Sequence, residues 1–260
     1  MSSWDAFDAE LTRWRESGRR AELWWRDDDA ADVSQPLERL LDLRHRVDVP
    51  LALAVVPAHA TVALAERLAA EPGVDLLQHG YAHANHAPPT DKKSELDLHR
   101  PAMVVLGELG AGWLAMERLF GNRPLRVLVP PWNRIAPGLV PALPEIGYTG
   151  VSTFGGRGRV EPVAGLRQVN THLDLIDWHG TQGFVGQEVA LERLVAALVA
   201  ARSAATRSGD AEPIGILSHH LAMDEAAWDF LSLLWQRTRN AQGVKLPAAH
   251  QLFASREARV

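Results

Sequence analysis

Four short stretches gather the groups that can hold a metal ion or move a proton. "RDDDA" sets Asp27, Asp28 and Asp29 side by side after the apolar run Leu23–Trp25. "HGYAHANH" supplies His79, His83 and His86, "DLIDW" supplies Asp174 and Asp177, and "SHH" supplies His219 and His220. His79 and His83 stand four apart. On a helical turn that spacing puts both imidazoles on one side, able to grip one cation, and His86 could share that side. Two neutral imidazoles and one carboxylate form a three-ligand site with a position left open for water. An ion there lowers the pKa of its water and polarises a carbonyl, and a second carboxylate can take the water's proton as general base. Adjacent aspartates on a strand point to opposite faces, so a turn just beyond the strand is needed to bring two of them to one site. Taken alone, an aspartate run is a solvated turn and a loop histidine is a loop histidine. A histidine at a strand end bonds to backbone as readily as it protonates a leaving group. Asp174 or Asp177, three apart, could orient and charge it. "VPPWN" adds a rigid turn and Trp132, an aromatic wall or one more core ring among nine tryptophans.

The elements that position these groups are legible in the hydrophobic pattern. Apolar strands are predicted at 22–28, 49–57, 74–80, 125–132, 148–154 and 213–220, with a further strand or extended segment at 166–178. Between them lie helices at 34–47 (Ser34 as cap, Pro36 in the first turn), 61–73, within 94–120 with Pro101 near its start, 187–207 and 224–240. A short proline-interrupted helix is expected at 138–147, and 243–253 closes the chain. Continuous apolar strands alternating with helices argue for a parallel sheet covered by helices. About seven such beats favour a closed or nearly closed (β/α) barrel, whose active site lies at the C-terminal ends of its strands. Nearly every titratable cluster named above falls at such an end, and that convergence says more than any one motif.

Composition narrows the class. The chain has 260 residues, 47% of them hydrophobic and 23% charged, enough for a single large core without disorder. The net charge of −5 is spread without a basic patch, which argues against nucleic acid as a partner. Cysteine is absent, excluding disulfides, thiolate metal sites and cysteine nucleophiles. The first residues read as an amphipathic helix without the basic start and apolar run of a signal peptide, and no apolar stretch reaches the roughly 18 residues of a membrane span. The expectation is one cytoplasmic domain over 1–260, with residues 1–20 forming a helix packed on it and no membrane partner. Oligomeric state is not legible.

With these residues in view, the sequence resembles the polysaccharide deacetylases of carbohydrate esterase family four. "WRDDDA" is similar to that family's T-F-D-D-G, "HGYAH" to H-[ST]-x-x-H, "VPPWN" to R-P-P-[YW]-G, "DLIDW" to D-x-x-D-W and "LSHH" to L-L-H-D. All five occur in the family's order between residues 26 and 220, and "VKLPAAHQLF" resembles its last strand. The resemblance implies a distorted parallel (β/α) barrel that hydrolyses acetamido groups on sugars with a divalent metal. Zinc is the first choice of ion, with cobalt, manganese or nickel as alternatives. It implies His79 and His83 as metal ligands with Asp29, Asp28 as base, His219 as acid and Asp177 as the carboxylate that tunes it. Trp132, Asn133, Trp178 and Arg26 would contact substrate. The other aspartate register, Asp27 with Asp28, stays open, as does His220 as the acid. The chain departs from the pattern at Val129, where the family has an arginine that pairs with the base. Arg26 and Arg134 are the candidates to replace it. It departs again at Gly80, in place of serine or threonine, and at Asn133, in place of glycine. A small acylated sugar or amide is the expected substrate. The alternatives are an ester or non-sugar amide, or a catalytically silent carbohydrate-binding protein.

Overall fold

A computed structural model describes residues 3–208 and 211–254. The strands are β1 (Ala21–Ala30), β2 (Leu51–Val55), β3 (Val74–His79), β4 (Pro124–Val129), β5 (Gly150–Val151), β6 (Arg167–Gln168), β7 (Thr171–Asp174), β8 (Ile214–Ser218) and β9 (Val244–Lys245). The helices are α1 (Ser3–Glu16), α2 (Gln35–Val47), α3 (Val62–Ala69), α4 (Ala102–Phe120), α5 (Gln187–Ser208), α6 (Glu225–Thr238) and α7 (Ala249–Phe253). Eight strands curl in the order β6-β5-β4-β3-β2-β1-β8-β7, and every pairing is parallel. The short β9 pairs with the start of β1. Closure is irregular: Thr171 donates its amide to the Thr153 carbonyl, and its own carbonyl accepts from Gly155. The result is the distorted parallel barrel that the strand–helix alternation predicts, with one strand more than the expected count.

Alternation along β1 sorts its side chains. Trp24 points into the barrel with Ala52, Leu77, Val127 and Val129, and its ring meets Phe253 edge-on at 6.2 Å, so α7 plugs the bottom. Leu23 and Trp25 point outward, into the larger core beneath α2, α5 and α6. Ser34 caps α2 as expected, accepting from the Leu37 amide, and Asp224, expected as part of an acidic first turn, caps α6 by accepting from the Ala227 amide. Three expected elements differ. The segment 138–147 forms only short 3₁₀ turns, because Pro141 and Pro144 remove amides that a continuous α-helix would use. The stretch 166–178 breaks into β6 and β7, and 243–253 becomes β9 followed by α7. Among the described residues, no helix is long and apolar enough to cross a membrane.

Candidate metal and acid–base site

The aspartate run is resolved by a bulge. β1 pairs with β2 in register from Trp25 to Asp27, and the register shifts before Ala30. Asp29 sits in that shift with φ 75°. Strand alternation turns Asp28 inward and Asp27 outward, and the bulge swings Asp29 back toward the barrel mouth. The three acids therefore meet three environments.

Asp29 Oδ1 lies 3.0 Å from His79 Nε2 and 3.3 Å from His83 Nε2. One ligand atom from each of the three residues falls within 4.8 Å of the others, the sole such grouping among the described residues. His79 donates its Nδ1 proton to the Val129 carbonyl at 3.0 Å, which leaves Nε2 as a lone pair facing the cluster. Two imidazole nitrogens and a carboxylate oxygen thus converge, an arrangement that a cation between them would stabilise. The donor set of two imidazoles and one carboxylate suits zinc-type ions. Burial opposes ionisation of Asp29, but the hydrogen bond and charge of His79, with the charges of His219 and His83, hold its carboxyl well below the usual range. Burial also opposes charge on His79, yet Asp28 and Asp29 together raise it. Burial and the neighbouring His79 push His83 down. His86 is exposed and outside the group.

The loop carrying His83 is held by a residue that the sequence pattern did not single out. Glu95 is 1% exposed, and its carboxylate accepts the amides of Tyr81, Ala82 and Ala84 at 3.0, 2.7 and 3.3 Å. Gly80 lies under this carboxylate with φ +56°, and a Cβ there would collide with Glu95 and with the Pro131 ring. That contact accounts for glycine in place of the hydroxyl residue.

Asp28, 2% exposed, is gripped by Arg26 on the same strand: Nε lies 2.9 Å from Oδ1, and Nη2 lies 3.0 Å from Oδ2. Arg26 is fully buried and also donates to the Ser152 hydroxyl at 2.7 Å and to Asn133 Oδ1 at 2.6 Å. The position left empty of charge at Val129 is thus supplied from β1. Arg134 instead donates to the Lys93 carbonyl at the surface.

Across the mouth, His219 Nδ1 is 3.7 Å from Asp174 Oδ1, and the Trp178 ring stands edge-on to His219 at 4.8 Å. Trp178 donates its indole proton to Asp174 at 2.9 Å. Burial raises Asp174, and Asp28 adds to the rise. Here the expected partner of His219 is corrected. Asp177 turns onto its own loop and accepts the amides of Gly180 and Thr181, while Asp174 faces the histidine. His220 faces away, toward Asp27. Trp132 packs its ring on His83 at 4.4 Å. Of the six non-glycine residues with positive φ among the described residues, four are Asp29, His83, Trp132 and Asn133. Such backbone costs about 1–3 kcal/mol per residue and persists where its surroundings over-determine it.

No protein-family model and no curated protein sequence matches the chain. Solved structures match its fold. A Mycobacterium smegmatis protein assigned as a polysaccharide deacetylase gives a TM-score of 0.65 at 17% identity, covering 91% of this chain and 90% of that one. A variant of the peptidoglycan deacetylase PdaC from Bacillus subtilis gives 0.55 at 14% identity, with 90% of both chains covered. A family 4 acetyl xylan esterase from Clostridium thermocellum, solved with a cobalt ion, gives 0.52 at 16%, covering 89% and 90%. The fold is that of the polysaccharide deacetylases and esterases of carbohydrate esterase family four.

Proposed function

We propose that this chain is a metal-dependent hydrolase that removes an acetyl group from an N-acylated sugar or a related amide. One observation carries the reading: a three-donor cation cluster, an arginine-gripped carboxylate and a carboxylate-backed histidine meet at one barrel mouth. A divalent ion held by Asp29, His79 and His83, zinc first, would polarise the acyl oxygen and acidify a water. Asp28, oriented by Arg26, takes the proton of the attacking water. His219 gives a proton to the departing nitrogen, with Asp174 facing its Nδ1 at 3.7 Å. With Oδ1 bonded to Arg26, Asn133 has its Nδ2 protons left to offer a substrate oxygen. Trp132 and Trp178, the latter 45% exposed, offer flat apolar faces on opposite sides of the mouth, suited to a sugar ring. The Arg26–Asp28 pair favours a catalytic site over a silent binding protein, because it restores the charge partner that Val129 lacks.

The test is metal analysis of the purified protein, followed by assay on N-acetylated amino sugars, simple amides and acetyl esters. The expected result is one divalent ion per chain and turnover of the N-acetylated sugar, both abolished in His79→Ala. Stoichiometric metal in His79→Ala would refute the ligand set. Turnover of esters alone would move the reading to an esterase.

A further inference from the structure

The third aspartate is not at the metal cluster. Asp27 is fully buried on the outer face of β1, and its carboxylate gathers the end of β8. Oδ2 accepts the Ser218 hydroxyl at 2.5 Å and the His220 amide at 3.1 Å, and Oδ1 is 2.5 Å from His220 Nδ1. Ser218 in turn accepts the Trp25 indole proton at 2.8 Å. Ser218 and His220 are the two residues that flank His219. One side chain therefore fixes both neighbours of the acid from a point one residue before Asp28 and two before Asp29.

We propose that Asp27 and His220 form a positioning pair, a clamp that sets the imidazole of His219 against the metal cluster and Asp28. The inference rests on the reading of His219 as the acid of a hydrolase. The clamp's polar bonds all leave His220 by its amide and Nδ1. Its Nε2 has no hydrogen-bond partner among the described residues. His220 also helps to line a crevice of about 720 Å³ between α2 and α6, together with Leu43, Met223 and Trp228. Burial opposes charge on His220, but Asp27 outweighs it and holds the imidazole above its ordinary value. The pair is thus a contact of fixed geometry, made through the His220 amide and Nδ1. Asparagine, whose Nδ2 can stand where Nδ1 stands, is its conservative replacement.

The experiment compares zinc-loaded wild type with His220→Phe and His220→Asn, reading kcat, KM, zinc content and the ring ¹H–¹⁵N signals of His219, His79 and His83. For His220→Phe the expectation is a kcat lower by roughly tenfold to hundredfold, the cost of a small misplacement of a reacting group. KM should stay within about twofold, zinc at wild-type stoichiometry, and only the His219 signals should move. His220→Asn should recover most of kcat and return those signals. A His220→Phe enzyme with wild-type kcat, or an asparagine variant no better than phenylalanine, overturns the clamp. If wild type hydrolyses no acylated substrate, the functional reading fails by itself. The ring signals then decide the clamp: His219 signals that do not move overturn it. Should His220→Phe not fold, Ser218→Ala removes another bond of the same carboxylate and is read the same way.

Discussion

Replacing Arg26 with methionine tests how the base is held. The guanidinium is fully buried, and Asp28 is 2% exposed. Two contacts bind the pair, and two further bonds tie Arg26 to Ser152 Oγ and Asn133. Methionine keeps the length of the stem but leaves a carboxylate without its cation in the barrel interior. Breaking a buried pair from one side costs about 3–5 kcal/mol, because the remaining charge is uncompensated. For a chain of this size each kcal/mol shifts Tm by about 2–4 °C, so a fall of roughly 6–20 °C is expected. Adding Asp28→Asn removes the orphaned charge. The double variant should recover about 2 kcal/mol or more relative to Arg26→Met, a coupling large enough for a double-mutant cycle. Urea unfolding followed by tryptophan fluorescence, at fixed pH and without metal, supplies all four corners. Arg26→Lys should not substitute, because an ammonium cannot fork across Asp28 while also reaching Ser152 and Asn133. If the two substitutions add within about 0.5 kcal/mol, Arg26 is not the partner of Asp28 in the sense argued here.

Two further outcomes follow from the same geometry. Glu95→Gln keeps the shape but makes a poorer acceptor for the three loop amides. Zinc affinity, measured by competition with a chelator, should fall roughly 10–100-fold, and an unchanged affinity would detach Glu95 from the site. Asp174→Asn should trade stability against rate. Burial raises the folded pKa of Asp174 above its unfolded value, so its ionised form costs stability at neutral pH. That cost fades as pH falls through the raised value and is gone below the unfolded one, about 3.9. The asparagine variant should therefore melt above wild type at pH 7, lose that advantage near pH 4, and turn over more slowly at pH 7. A variant that melts below wild type at pH 7 would contradict the sign.

The strands of the barrel and the clustering of chemistry at their ends were readable because burial on both faces leaves long apolar runs. His79 and His83 were readable as a pair, but not for the reason of a helical turn: His79 ends β3, and His83 reaches Asp29 from a non-helical loop at φ 53°. The choice among the three aspartates was not, since it turns on a bulge at Asp29 that only pairing with β2 creates. Asp174 and Asp177 look equivalent at a separation of three, and the turn beyond Ile176 decides which faces His219. Glu95 carries no local signal, because its partners are backbone amides eleven to fourteen residues earlier. Arg26 did carry one: a cation between Trp25 and Asp27 in a strand this apolar has to be paired. The strand expected at 148–154 shrinks to the two residues of β5, and the segment expected at 166–178 keeps only two residues as β6, because irregular pairing there ends each ladder early.

Those short strands have a consequence of their own. β1 is ten residues long and pairs with β2, β8 and β9, whereas β5 and β6 are two residues each and the wall meets β7 through a broken ladder. Amide protons on that seam should exchange with solvent long before those of β1 and β2. Arg26 reaches across this gradient, from the stiffest strand to the Ser152 hydroxyl and carbonyl just past β5. The guanidinium that holds Asp28 is therefore also a rivet in the softest part of the wall. A substrate too bulky for the mouth at rest would gain its room there, on the side away from His79 and His83.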